Sequence, residues 1–165
     1  MKNTGKVFAT AITLTCLGIL SMAAVRAVSP GLSARGSAGS EDLQLAFSAA
    51  EHRDESIRGH AVFHDRAANT IVGVDIDCLS AGQVAVPGGS VSSATLIGGV
   101  SKSTADLFHV GNRVAFLVVV YNQGQFPDQF TGPALAGAGC DGGINQAQLL
   151  LIQSEQGNIV ITLGE

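Results

Sequence analysis

The residues of this 165-residue chain with chemical potential are few and scattered. His60 and His64 are four apart with Val62 between them. On an extended strand that spacing puts both imidazoles on one face, because successive side chains alternate. The apolar run that follows carries Asp75 and Asp77, which share its polar face by the same rule. If the hairpin register aligned the two faces, two imidazoles and a carboxylate could ligate zinc or form a general acid/base pair. The chain would then be a metal-dependent hydrolase or lyase. A one-residue slip would separate the groups, and water-facing strands carry such residues for solubility alone. A second set comprises Asn122, Asp128 and Asp141, in or beside Gly-rich loops, whose hard oxygens suit calcium outside the cell. That ion takes six or more oxygens, and Asn and Asp also occupy such positions as turn formers.

Other signatures fail for want of structural context. Gly137-Ala138-Gly139-Cys140-Asp141-Gly142 spells a dinucleotide fingerprint, which has physical meaning only between a strand and a helix N-terminus. Here it precedes a strand pattern and reads as a loop. Ser33 lies in a Gly-x-Ser-x-x-Gly stretch, not the Gly-x-Ser-x-Gly of a hydrolase elbow. No catalytic residue is assignable and no cofactor is expected.

The N-terminus indicates where any chemistry would take place. Lys2 and Lys6 precede an apolar run from Val7 to Val25, and Val25-Arg26-Ala27 offers small residues for cleavage after Ala27. Residues 1–27 read as a signal peptide, which makes the protein exported, to the cell envelope, periplasm or exterior. The run is close to the ~20 residues of a membrane span. Thr10, Thr13, Thr15, Gly18 and Ser21 weaken it as a permanent anchor, so no stable span is expected after cleavage. Cys16 lies in mid-run, not at its end where a lipoprotein cysteine belongs.

Cleavage changes both charge and cysteine arithmetic. Six basic residues (Arg35, Arg53, Arg58, Arg66, Lys102, Arg113) remain against thirteen acids, so the net charge moves from −4 to −7. Nucleic acid is excluded as a partner, since phosphate binding needs clustered Lys and Arg. Envelope ligands or other proteins are the partners left. Cys78 and Cys140 remain as an even pair, which in an oxidising compartment reads as a disulfide. The competing thiol reading, for metal or redox work, lacks Cys-x-x-Cys spacing.

The elements that must position these residues have a period of two. Residues 28–42, rich in Ser, Gly and Ala, read as a flexible leader, and 43–165 as one domain. Leu43, Leu45, Phe47 and Ala49 alternate with small or polar residues, as do Ile57, Gly59, Ala61 and Phe63 after the break Arg53-Asp54-Glu55-Ser56. That is a hairpin pattern. After Ala67-Ala68-Asn69, Ile71–Leu79 forms a third strand with Val72, Val74, Ile76 and Cys78 on one face. Further strands are expected near 83–86, 94–100, 113–121, 146–153 and 158–163. Val114–Val120 is apolar on both faces, as in a strand covered on both sides. About eight strands with Gly-rich breaks and no convincing helix predict an all-β antiparallel sandwich or small barrel.

Between Leu43 and Ile161 the chain resembles a family of small exported bacterial all-β proteins of unassigned function. The resemblance rests on Phe47-Ser48-x-x-x-His52, Gly59-His60-Ala61-x-Phe63, Asp77-Cys78-Leu79, Gly98-Gly99-Val100, Val110-Gly111-Asn112-x-Val114-x-Phe116, Asn122-x-Gly124, Pro127-Asp128, Cys140 and Gly157-Asn158-Ile159-x-Ile161. It implies a secreted β domain and no assigned activity. The chain departs from the pattern at Tyr121, where an acid is expected, and in extra residues around Val86 to Ser92. Composition and motifs together favour a non-enzymatic binding or structural protein, with the His60/His64 metalloenzyme as the alternative.

Overall fold

The computed structural model describes residues 31–122, 126–140 and 150–164. The expected signal peptide, its cleavage point and the candidate ligand Asp141 lie outside them. The described residues form ten strands and no helix: β1 (Ser33–Gly39), β2 (Leu43–Glu51), β3 (Ile57–Asp65), β4 (Thr70–Val86), β5 (Gly89–Ser103), β6 (Arg113–Tyr121), β7 (Gln129–Thr131), β8 (Ala134–Leu135), β9 (Leu151–Gln153) and β10 (Gln156–Thr162). All pairings are antiparallel, in the order β10-β1-β2-β3-β4-β5-β6-β7-β9, with β8 also on β6. The all-β expectation holds.

Local chemistry sets the hairpins. The β2–β3 turn places Glu55 at φ 61°, and the β3–β4 turn places Asn69 at φ 52°. Asn tolerates that left-handed backbone better than most residues. Asp54 accepts from the Ser56 amide, and Asp65 accepts from the Ala68 amide. With both turns fixed, Leu45 falls opposite Phe63 and Phe63 opposite Val72, so the alternating apolar sets share one face.

That face is the inside of a curl. Leu45, Leu96, Val114, Phe116, Val118 and Phe130 are fully buried there, with Val72, Val74 and Ile159 against them. A flat sheet would leave this face wet; coiling buries it. The sheet curls until its two edges belong to consecutive segments of chain. β9 pairs with β7, β10 pairs with β1, and only Ser154 and Glu155 separate them. The Ser154 amide donates to the Asp128 carbonyl (2.7 Å) and the Glu155 amide to the Gly39 carbonyl (2.8 Å). Ser154 Oγ accepts from the Gly39 amide (3.2 Å), which ties the seam. The result is closer to a barrel than to two stacked sheets.

Three expectations are corrected. Part of the expected leader, Ser33–Gly39, is strand β1 between β2 and β10. Its inward residues are Ala34, Gly36 and Ala38, so the alternation exists without bulky side chains to reveal it. The segments expected at 71–79 and 83–86 are one strand, β4, whose far half runs out into solvent with β5. Cys78 does not share the face of Val72, Val74 and Ile76. The β4–β5 register skips Asp77, pairing Ile76 with Gly98 and Cys78 with Ile97. This bulge hands the core position to Leu79 and turns Cys78 to the outer face, beside Ile97, Ala115 and Ala136.

Candidate functional site

The outer face of β3 carries His60 and His64, as the alternation requires, and the β3–β4 register sets His60 opposite Asp75. His60 Nδ1 lies 3.2 Å from Asp75 Oδ1. Both side chains are more than half exposed, so the pair is a surface contact of little energy. His64 lies opposite Ile71 and Gln44. Four residues of strand set the two Cα atoms about 13 Å apart. Two nitrogens on one zinc lie within about 4 Å of each other. As folded, His60, His64, Asp75 and Asp77 do not assemble into a metal-binding cluster. Among the described residues no cluster of three or more His, Cys, Asp or Glu side chains has metal-binding geometry.

Asp77 belongs to a different pair. The bulge aims its carboxylate across the side-chain-free Gly98-Gly99 stretch of β5 at Arg113 on β6. Arg113 donates through both terminal nitrogens to the two carboxylate oxygens, each at 2.7 Å. The same guanidinium lies 3.5 Å from Cys78 Sγ. Hydrogen bonds from Arg113 hold the Asp77 carboxyl below its ordinary range, and Asp77 pushes the guanidinium upward. Cys78 is bridged to Cys140, with the Cα atoms 5.4 Å apart. A fork-shaped ion pair thus flanks the disulfide on the outer wall.

Of the calcium set, Asp128 bonds to the end of β6 and Asn122 to the start of β5, with no bond between the two, while Asp141 is outside the described residues. Asn122 Nδ2 donates to Ser92 Oγ (2.8 Å) and Ser90 Oγ (3.1 Å), and Asp128 Oδ1 accepts from the Tyr121 amide (3.3 Å). Both residues brace the strand end, the turn role that competes with metal binding.

Besides an open hollow at His52, Arg53, Asp54 and Arg58, two concavities stand out among the described residues. One, of about 300 Å³, lies at the seam between the β1–β2 turn and Glu155, with Glu41, Gln44 and Arg66 on its wall. The other is an apolar bowl of about 230 Å³ formed by Val86, Pro87, Val91, Tyr121 and Phe126. The Tyr121 and Phe126 rings lie 5.4 Å apart and tilted by 57°, a favourable edge-on contact. Sequence reasoning missed both this bowl and the Asp77–Arg113 fork. Tyr121 was visible only as a departure from the resembled pattern, and nothing in the letters brings Arg113 to Asp77 across an intervening strand.

Chemically, the described donors are spread over separate outer patches, and the inside of the curl is filled with hydrocarbon. The chain matches no family model, and no curated protein or solved structure proved detectably similar to it.

Proposed function

We propose that the chain is an exported, non-enzymatic binding domain, of the kind its motifs resemble, that engages another protein or an envelope component. The observation that carries this reading is the filled interior. Phe116, Phe130, Leu45 and Leu96 occupy the space in which a β-barrel enzyme or carrier would hold its ligand. What the domain presents to its surroundings is surface. The apolar bowl beside Tyr121 and Phe126 falls short of the roughly 300–1,000 Å³ of small-molecule sites and suits one inserted apolar side chain. The disulfide supports an oxidising location, in accord with the signal-like N-terminus.

The test has two arms. Intact mass of protein recovered from the exported fraction is expected to correspond to a chain beginning at Val28 with no alkylatable thiol. Cytosolic retention, or free Cys78, would overturn the export half. The same protein is then screened by thermal shift against peptides with apolar termini, glycans, envelope fragments and metal ions. A shift with peptide or envelope fragment that Tyr121→Ala abolishes supports the binding half. Turnover of ester, phosphoester or glycoside substrates that is lost in His60→Ala would replace it with an enzyme.

A further inference from the structure

Among the described residues, the far half of β4 has a free edge. β3 pairs with β4 only as far as Ile76, whereas β5 pairs with it out to Val86. From Leu79 to Val86 the strand is bonded on its β5 side alone, and among the described residues no other backbone bonds to it. Every second residue there aims its amide and carbonyl at solvent. Such a row is a template for another strand, and proteins usually guard it with Lys, Pro or an inward charge. This edge has none of these. The twenty-four residues from Cys78 to Ser101 contain no Asp, Glu, Lys, Arg or His, and Pro87 falls in the turn beyond the strand. Val84 is 66% exposed and Val86 40% exposed on it. The opposite edge of the sheet, β10, turns inward against β5 and β6 across the mouth of the curl.

From this we infer that the protein forms a two-fold dimer in which the Leu79–Val86 edges of two copies pair antiparallel, continuing one sheet across the interface. Three observations favour a second copy as the occupant. Neutrality comes first: the chain from Val28 onward, with its net charge of −7, repels itself over most of its surface, and this segment brings no charge to the contact. Shape comes second. An antiparallel two-fold needs a residue at its centre so that facing side chains lie on the same side. Centred on Gln83, it sets Val84 opposite Gly82 and Val86 opposite Ser80; centred on Gly82, Val84 falls opposite Ser80. In both registers the large residue meets a small one. Closure comes third, because an isologous pairing uses both edges and leaves none to propagate into a fibre. The pairing does not depend on what the domain binds.

The test uses the exported chain beginning at Val28, which holds every described strand, the disulfide and the core. Sedimentation equilibrium between about 1 μM and 1 mM is expected to show a monomer–dimer equilibrium, with Val84→Lys weakening it at least tenfold. Val84 is exposed, so the variant keeps the wild-type circular dichroism and melting profile. Val160→Lys, on the exposed side of β10, is expected to leave the equilibrium unchanged. Hydrogen exchange is the second readout: amides between Ser80 and Val86 are expected to gain protection as concentration rises. A single monomeric species over the whole range would overturn the proposal. So would a dimer that survives Val84→Lys, or one in which those amides exchange as fast as in dilute protein.

Discussion

Asp77 occupies the one position of β4 at which the ladder to β5 skips a residue, and that places its carboxylate within reach of Arg113. The pair is bidentate, yet Asp77 remains about half exposed, so solvent screens it to about 1 kcal/mol or less. Asp77→Asn is expected to cost about that much at neutral pH, measured as a shift in the urea midpoint at unchanged slope. Its pH dependence is more diagnostic. The folded carboxyl titrates below the ordinary value of 3.8, so its contribution is complete above about pH 4 and disappears as the pH falls further. The wild type is therefore expected to lose its advantage over Asp77→Asn as the pH falls below about 4 in acid-titration melts. His60→Ala, by contrast, removes a pair of two exposed groups and is expected to stay within about 0.5 kcal/mol of wild type. At this scale the alternation of His60, Asp75 and Asp77 was legible, and so was their outward face. Their partners were not, because cross-strand neighbours follow from register and a bulge that no single residue announces.

Among the elements, the strands with bulky alternation were readable and those without it were not. Leu45 and Phe47, or Val72 and Val74, contrast sharply with their polar neighbours. In β1 the inward set is Ala34, Gly36 and Ala38, whose contrast with Ser and Arg is too small to separate a strand from a linker. The small residues have a structural cause. Gly36 sits at φ 149°, and a Cβ there would strike the Asn158 carbonyl of β10. β5 makes a similar demand opposite the bulge, where a Cβ on Gly98 would strike the Asp75 carbonyl and the Ile76 backbone. Gly98→Ala is accordingly expected to destabilise by about 1–3 kcal/mol, read from chemical denaturation. Gly99, with open space around its Cβ direction, is the control that accepts Ala with a smaller change. β7 and β8 escaped notice for a plainer reason: at three and two residues they are too short to show a period.

For the molecule as a whole, the cysteine pairing was legible because cleavage of the expected signal leaves two cysteines and no alternative partner. Sandwich and barrel could not be told apart, since the choice depends on how far the sheet coils and on which strands meet at its ends. The bridge spans 62 residues of sequence and ties β4 to the segment after β8. In the chain-entropy model a loop of that length stabilises by about 4 kcal/mol. Replacing Cys78 and Cys140 together by Ser is expected to lower stability by up to that amount. The denaturant slope should rise as the unfolded chain expands. Unchanged stability would place the covalent link outside the energetics of the fold. Deleting residues 154–165 is expected to be far more severe, with loss of cooperative thermal unfolding, because it removes the partner of β1 and the seam at once.

The two-residue step from β9 to β10 also sets a clock. β1 finds one of its two neighbours at once, since β2 follows it directly, but the other is the last strand of the chain, more than a hundred residues away. Until that strand is available the core has an open side and the sheet cannot finish coiling. Contacts of such separation are slow to form because loop closure precedes their reward. A nascent chain therefore keeps its core open on the β1 side until β10 has been made, so the coil closes late whatever order the inner hairpins form in.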